Sequence, residues 1–106
     1  MIEELNQDNF LEKITNNSLS VIDFYAEWCT PCRAISKTLE KLSTEYDGRV
    51  KFYKLSITKN ATLAKQLQIS EFPTIIFYKD PEHIDIQHGT AKEEQLKDKI
   101  EALLGG

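Results

Sequence analysis

Two cysteines separated by two residues, Cys29 and Cys32, are the residues of this sequence best suited to chemistry, and the chain has no others. A disulfide between them closes a very short loop, so it adds little stability through chain entropy. This spacing instead indicates redox chemistry or half of a metal site. A zinc site needs two further ligands, and the only histidines are His83 and His88. The ligand count therefore favours redox chemistry over zinc.

The cysteine pair lies where a predicted strand ends and a predicted helix begins. Residues 19–26 are mostly apolar and rich in β-branched and aromatic side chains, which predicts a strand buried on both faces. Pro31 suits the first helical position, where its missing N–H costs no hydrogen bond. Cys29 then precedes the helix and faces free N–H groups at the positive end of the dipole. Because this environment lowers a thiol pKa, we expect Cys29 to be a reactive thiolate.

Cys32 falls on the apolar face of the same predicted helix, in line with Ile35 and Leu39. We expect it to be more buried and less reactive than Cys29. An exposed thiolate beside a shielded thiol forms a nucleophile and a resolving group. The sequence therefore predicts that Cys29 attacks disulfides and that Cys32 then releases the product.

The rest of the sequence alternates between the hydrophobic periods of strands and helices. Further strands are predicted at residues 2–5, 50–57, 74–78 and 84–87, and a helical stripe follows every strand except the one at 74–78. The order β-α-β-α-β-α-β-β-α predicts an α/β fold, with a central mixed sheet flanked by helices on both faces. Because residues 79–82 resemble a turn, the last two strands are expected to pair antiparallel.

Local signals mark the ends of two helices. Asp8 is the predicted cap of the first helix, which carries Leu11 among its apolar residues. Thr90 and Glu93 match a capping box for the last helix. Residues 105–106 are both glycine and lie where that helix is expected to stop.

Composition limits the classes of function. The net charge is −4 and basic residues are not clustered, which disfavours nucleic acid as a partner. No segment reaches the roughly 20 apolar residues of a membrane span, so no membrane association is expected. The acidic, polar N-terminus lacks the regions of a signal peptide, which predicts a cytoplasmic protein. The length of 106 residues predicts a single domain, residues 1–106.

Residues 23–32, Asp-Phe-Tyr-Ala-Glu-Trp-Cys-Thr-Pro-Cys, resemble the active-site segment of the thioredoxin family. Residues 72–74, Phe-Pro-Thr, resemble the family's cis-proline segment, and Gly89 also matches in order and spacing. The resemblance covers essentially the whole chain. It implies the thioredoxin fold and a monomeric thiol–disulfide oxidoreductase that reduces protein disulfides. It also implies a thioredoxin reductase and disulfide-containing target proteins as partners, and no bound cofactor besides the redox-active disulfide itself.

Two charged residues gain a catalytic role from the resemblance. Asp23 lies in an apolar strand, and burial raises the pKa of a carboxyl. By resemblance it is the buried acid that helps to deprotonate Cys32 during resolution; the alternative is an aspartate at a wet sheet edge. Lys54, by resemblance, lies near this acid, where pairing would oppose the rise in its pKa; the alternative is a solvated strand lysine.

The resemblance also implies a substrate-binding surface around the cysteines. Its residues are Trp28, Thr30, Pro31, Phe72, Pro73 and Gly89. Pro73 is cis by resemblance, packs against the disulfide and leaves the preceding backbone free to pair with substrate, although a Phe-Pro bond by itself is more often trans. Trp28 lines the docking surface by resemblance, the alternative being a core position. Gly89 allows the close approach of a partner backbone, the alternative being a turn glycine.

Among the residues that depart from the family pattern, three lie close to the predicted site. Thr30 stands where most members have Gly, and its hydroxyl either donates to the Cys29 sulfur or accepts from the Arg33 N–H. These two bonds shift the thiol pKa in opposite directions, so no sign is predicted. Glu71 adds a charge beside the proline segment, which disfavours acidic targets. His88 as an imidazolium would favour the Cys29 thiolate, unless it only faces solvent.

The resemblance leaves other functions open. A higher reduction potential would make the protein an oxidase or isomerase, and about 30 mV corresponds to roughly 1.4 kcal/mol for this couple. A glutathione-dependent glutaredoxin is a further alternative, although Trp28 and the Pro-Cys ending fit a thioredoxin better. A redox-inactive binding module of the same fold is the remaining one, and it would make the cysteines incidental.

Overall fold

The structure, a computed structural model, describes residues 2–16 and 18–105. These residues contain five strands and four helices, in the order that the sequence predicts. The strands are β1 (Glu3–Glu4), β2 (Ser20–Tyr25), β3 (Lys51–Ser56), β4 (Thr74–Asp80) and β5 (His83–His88). The helices are α1 (Phe10–Thr15), α2 (Thr30–Glu45), α3 (Ala61–Gln66) and α4 (Glu93–Gly105). None of the helices in the described part of the chain has the length and apolar character needed to cross a membrane.

The strands form one mixed sheet in the order β1-β3-β2-β4-β5. β1 and β2 run parallel to β3, whereas β4 runs antiparallel to both β2 and β5. The predicted mixed sheet and the antiparallel final pair are thereby confirmed. β2 lies in the centre with a strand on either side, and all of its residues except Tyr25 are buried. A strand in this position needs apolar residues on both faces, which explains its sequence.

Alternate residues of β2 point to opposite faces of the sheet. On one face, Val21 belongs to a cluster with the apolar stripes of α2 and α4: Ile35, Leu39, Leu42, Leu96 and Ile100. On the other face, the cluster contains residues of α1, β2 and β3, including Phe10, Ile14, Ile22, Phe24 and Leu55, with Leu63 of α3 packed against it. Helices therefore cover both faces, as predicted.

The predicted cap of α1 is wrong. The N-cap residue is Asn9, not Asp8, and the helix starts at Phe10. Asn6 accounts for the difference, because its Oδ1 accepts hydrogen bonds from the N–H groups of Asp8 at 2.8 Å and Asn9 at 3.1 Å. Asp8 is thereby held in the turn before the helix. Leu11 lies in the helix but is exposed.

The predicted capping box of α4 is also wrong. Glu93 is the first residue of the helix, and Gln95 Oε1 accepts the hydrogen bond, 2.9 Å from the N–H three residues earlier. Only this half of a box is formed, two residues after the predicted position, since residues 89–92 are used to turn the chain away from β5 and the Lys92 side chain has no acceptor. Gly105 is the last residue of α4, and Gly106 lies outside the described residues.

Candidate active site

Cys29 and Cys32 form a disulfide at the junction between β2 and α2. Cys29 is the N-cap residue of α2, and its Sγ accepts a hydrogen bond from the Cys32 N–H at 3.1 Å. This sulfur therefore lies at the positive end of the helix dipole. Because Cys29 itself is the cap, the helix begins at Thr30, and Pro31 occupies the second helical position and not the predicted first one. Its missing N–H still belongs to the first turn, where no helical partner exists.

Both cysteines are largely buried in the disulfide state. The exposed fraction is 6% for Cys29 and 2% for Cys32. They form a small cluster with Ala26, against which Tyr25 and Phe72 also pack. Cys29 is the more exposed of the two, in the predicted direction, but the contrast is small while the disulfide is closed.

Two aromatic residues stand beside the disulfide. Trp28 and Phe72 contact each other edge to face, with ring centroids 6.1 Å apart. Trp28 is 65% exposed, so the alternative of a core tryptophan is wrong. The carbonyl oxygen of Phe72 lies 3.9 Å from Cys29 Sγ. An exposed indole next to the sulfur offers a docking partner a large apolar contact area.

The loop before β4, which contains Phe72, meets the end of β5 next to the Trp28–Phe72 pair. The Phe72–Pro73 peptide bond is cis, as the resemblance implies. The carbonyl oxygen of Pro73 accepts a hydrogen bond from the Gly89 N–H at 2.8 Å. Gly89 has a φ of +75°, and a Cβ at this position would meet no atom within 4 Å. Its backbone conformation, rather than close packing within the chain, therefore requires glycine.

Asp23 is fully buried in β2 and is hydrogen-bonded to α2. Its Oδ2 accepts a hydrogen bond from Ser36 Oγ at 3.1 Å, and its Oδ1 is buried with no hydrogen-bond partner among the described residues. Burial raises the pKa of this carboxyl from 3.8 to about 7, although the Ser36 hydroxyl and the charge of Lys54 both act to lower it. The alternative of a wet sheet edge is therefore wrong. This acid changes protonation near neutral pH, which suits a proton donor and acceptor.

Lys54 is the register neighbour of Asp23 on the parallel strand β3. Its Nζ lies 3.8 Å from Glu4 Oε1 and 6.0 Å from the centre of the Tyr25 ring, and its side chain is 43% exposed. The Tyr25 hydroxyl in turn donates to Glu4 Oε2 at 2.8 Å. Lys54 therefore lies near the acid and lowers its pKa, while its own ion pair is with Glu4.

A cleft of about 440 Å³ opens beside Cys32. It is bounded by residues 25–27 and, on α2, by Cys32, Arg33, Ser36 and Lys37. Ser36 therefore contacts both the open space and the buried carboxyl of Asp23.

Comparisons with known proteins agree with this geometry. The Thioredoxin family model matches residues 1–102. A thioredoxin of Staphylococcus saprophyticus subsp. saprophyticus is 34% identical over 97% of this chain and 98% of its own length. The chloroplastic thioredoxin M-type of Spinacia oleracea is 31% identical over 97% of this chain and 58% of its own length. The crystal structure of chloroplastic thioredoxin z matches with a TM-score of 0.92 and 28% identity, over 99% of this chain and 96% of that one. This chain belongs to the thioredoxin family.

Membership of the thioredoxin family makes the chain a thiol–disulfide oxidoreductase. The predicted fold class and reductase activity are confirmed, and the cysteine pair that the activity needs is present. Thioredoxins need no cofactor, and their partners are in general a reductase and disulfide-containing targets. Within residues 2–16 and 18–105, no three His, Cys, Asp or Glu side chains are grouped so as to hold a metal ion.

Thr30 is exposed at the first position of α2, beside Cys29. The sequence allowed its hydroxyl to cap the helix by accepting from the Arg33 N–H. In this thioredoxin the cap is instead the Cys29 Sγ, because Cys29 is the residue with extended backbone before the helix. The capping alternative for Thr30 is therefore wrong.

Glu71 and His88 form a pair that the sequence did not predict. The His88 Nδ1 lies 3.2 Å from Glu71 Oε1, and both side chains are more than half exposed. The pair spans the same two segments as the hydrogen bond between Pro73 and Gly89. The imidazole of His88 therefore lies against the carboxylate of Glu71 and does not simply face solvent.

Ser36 is the residue of the site that sequence reasoning missed. Its one signal is its position four residues after Cys32, on the same side of α2. A serine at such a position is common on solvated helix faces, so the sequence alone did not connect it with Asp23. The bond between them joins residues thirteen positions apart, across the packing of α2 on the sheet.

Proposed function

We propose that Cys29 is the nucleophile and Cys32 the resolving cysteine of this protein-disulfide reductase. The observation that carries the assignment is the position of Cys29 Sγ at the N-terminus of α2, 3.1 Å from the Cys32 N–H. When the disulfide is reduced, a thiolate at this position gains a charge-assisted hydrogen bond and the favourable end of the dipole. Both interactions lower the thiol pKa and so raise the fraction of reactive thiolate.

The reaction has two exchanges. In the first, the Cys29 thiolate attacks one sulfur of a target disulfide; a bond forms between Cys29 and the target, and the second target sulfur leaves as a thiolate. In the second, Cys32 loses its proton and attacks Cys29 Sγ, which releases the first target sulfur. The protein ends as the disulfide seen in the structure, having given two electrons to the target. A thioredoxin reductase returns them.

Asp23 is assigned as the acceptor of the Cys32 proton in the second exchange. Three features support this role: complete burial, a carboxyl oxygen without a partner among the described residues, and a pKa of about 7. A carboxylate with such a pKa accepts a proton from a thiol far more readily than an ordinary aspartate does. Lys54, the register neighbour of Asp23, is assigned to keep this pKa from rising further.

The target docks on the surface around Cys29, which has an exposed side and a more buried side. Trp28, Thr30 and Pro31 are exposed on one side of the sulfur. Phe72, Pro73 and Gly89 bound the other side, where the Phe72 carbonyl lies 3.9 Å from Cys29 Sγ. This arrangement offers apolar contact from the indole and backbone groups for an extended target segment.

We also propose in what form and where in the cell the protein carries out this reaction. It acts as one domain, residues 1–106, and as a monomer in the cytoplasm, with no bound cofactor and no association with nucleic acid or membranes. The net charge of −4 and the match to a bacterial thioredoxin over nearly its whole length support this setting.

Trapping the intermediate tests the roles of the two cysteines. The Cys32→Ser variant, mixed with a disulfide-bonded peptide, is expected to accumulate a mixed disulfide at Cys29, identified by mass spectrometry. The Cys29→Ser variant is the matched control and is expected to accumulate none. Trapping through Cys32 instead would reverse the assignment.

The reduction potential tests the direction of electron flow. Equilibration with defined ratios of reduced and oxidised dithiothreitol is expected to give a value at the reducing end of the oxidoreductase range. A markedly more oxidising value would retain the cysteine roles but make the protein an oxidase or isomerase.

A further inference from the structure

Ser36 occupies a place in the site that the two exchanges do not by themselves explain. It lies one helical turn after Cys32 in α2, and both side chains line the cleft beside the disulfide. Asp23 is 0% exposed, whereas Ser36 is only partly buried. The hydrogen bond of 3.1 Å between Ser36 Oγ and Asp23 Oδ2 therefore joins a buried acid to open space.

The hydroxyl of Ser36 is chemically able to pass a proton between Asp23 and the cleft. A hydroxyl is both a donor and an acceptor, and it rotates to suit its partner. Ser36 donates to the carboxylate of Asp23 when that group is charged. When Asp23 is protonated, the same oxygen accepts from the carboxylic acid and turns its own hydrogen to water in the cleft. A methyl group in place of the hydroxyl has neither ability.

The other charged groups near Asp23 are placed differently. Lys54 on the neighbouring strand β3 and Glu4 on β1 act on Asp23 through their charges and pair with each other at 3.8 Å. Glu27, Arg33 and Lys37 line the cleft itself. Among the described residues, Ser36 alone has a side chain that is hydrogen-bonded to the Asp23 carboxyl.

We propose that Ser36 is a positioning residue that carries the proton from Asp23 to the solvent of the cleft during each resolution step. The proposal rests on the role proposed for Asp23. The thiol proton of Cys32 passes to the Asp23 carboxylate as the bond between Cys32 and Cys29 forms. In the same step a proton passes from Asp23 through the hydroxyl of Ser36 to a water or buffer base in the cleft, which keeps the carboxylate available.

Single-turnover kinetics test this role. The reduced protein is mixed with a disulfide-bonded peptide between pH 5.5 and 9, and the resolution rate is followed by peptide thiol release. The Ser36→Ala variant is expected to resolve about tenfold more slowly at pH 7, and its pH profile is expected to move to higher pH because Asp23 loses a donor that lowers its pKa. The Ser36→Thr variant keeps the hydroxyl and is expected to restore both the rate and the profile.

The first exchange provides the internal reference. In the Cys32→Ser background, attack by Cys29 is expected to proceed at the same rate with Ser36 or with Ala at that position. Ser43→Ala is the matched control, because Ser43 lies in the same helix but donates to the Glu40 carbonyl at 2.7 Å. It is expected to leave both exchanges unchanged.

The outcomes separate the two proposals. If Asp23→Asn slows resolution while Ser36→Ala leaves rate and pH profile unchanged, Ser36 has no such role and the acid keeps its own. If Ser36→Thr is as slow as Ser36→Ala, packing rather than the hydroxyl controls the rate, and the relay is wrong. If Asp23→Asn has no effect on resolution, the proposed role of Asp23 fails and the relay fails with it.

Discussion

The two faces of β2 come from one six-residue strand, yet they bury different chemistry. Ile22 and Phe24 point toward α1 and α3 and join a cluster of apolar side chains. Val21 lies on the face toward α2 and α4, and Asp23, two residues later, brings a carboxyl to the same face. Both faces exclude water at β2, since all four side chains are 0% exposed.

The difference shows that the face under α2 is not arranged for stability alone. Because the pKa of Asp23 is about 7 in the folded protein and 3.8 ordinarily, the folded state holds the proton more tightly than the unfolded chain does. The stability from this protonated carboxyl is present below about pH 4 and is lost as the pH rises to 7. The unfavourable group is hydrogen-bonded to Ser36 of α2, one helical turn after Cys32, and the opposite face has no ionisable group on β2.

The largest expected effect is on catalysis, on the side of the sheet that α2 covers. Replacing Cys29 by serine is expected to reduce turnover of a disulfide-containing protein to the uncatalysed background, because no nucleophile is left at the start of α2. The loss of turnover is expected to be nearly complete, whereas the protein is expected to remain folded. Activity that persists above background in Cys29→Ser would show that another group begins the exchange.

The apolar face is expected to affect stability only. Phe24→Ala removes a fully buried ring and is expected to lower the free energy of unfolding by about 3–5 kcal/mol, equally at pH 5 and pH 8. Urea denaturation at both pH values measures this, and the reduction potential is expected to stay that of the parent. A loss that depends on pH would mean that the two faces are electrostatically coupled.

The polar face is expected to respond to pH in the opposite way. Asp23→Asn keeps the shape of the side chain but removes the ionisation, so it is expected to stabilise the protein at pH 8 by at most about 4 kcal/mol and to have little effect near pH 4. Urea denaturation followed through Trp28 fluorescence measures the difference. An equal gain at both pH values would show that burial of the charge is not its cause.

The same variant is expected to slow resolution. On the role proposed for Asp23 as acceptor of the Cys32 proton, Asp23→Asn is expected to release product about a hundredfold more slowly at pH 7, while formation of the mixed disulfide continues at the parent rate. Rapid-mixing measurements of the two phases separate these rates. Equal slowing of both phases would place the action of Asp23 on Cys29 as well.

The smallest effect is expected at the exposed rim of the site. His88→Ala is expected to change the rate of Cys29 alkylation less than about twofold at each pH, because the His88 Nδ1 lies 3.2 Å from the Glu71 carboxylate and both side chains are exposed. Glu71→Gln, which leaves His88 without its counter-charge, is the informative companion. If His88→Ala moves the alkylation curve clearly, the imidazole acts on the thiolate despite its partner.

The sequence alone determined the elements of this protein and their order. The hydrophobic periods along β2 and α2 are strong because both elements are buried, and the Cys-x-x-Cys spacing at their junction already predicts redox chemistry. Local caps were less predictable. Asp8 and Thr90 have suitable side chains, but Asn6 and Gln95 form the hydrogen bonds that decide where α1 and α4 begin.

Only the tertiary structure decided which polar residues share the site. Burial raises the pKa of Asp23, and the packing of α2 on the sheet places Ser36 against it. Lys54 lies beside this acid in register but pairs with Glu4. These contacts join residues far apart in the sequence, so their distances and their exposure to water follow from how the helices cover the sheet, which no local pattern records.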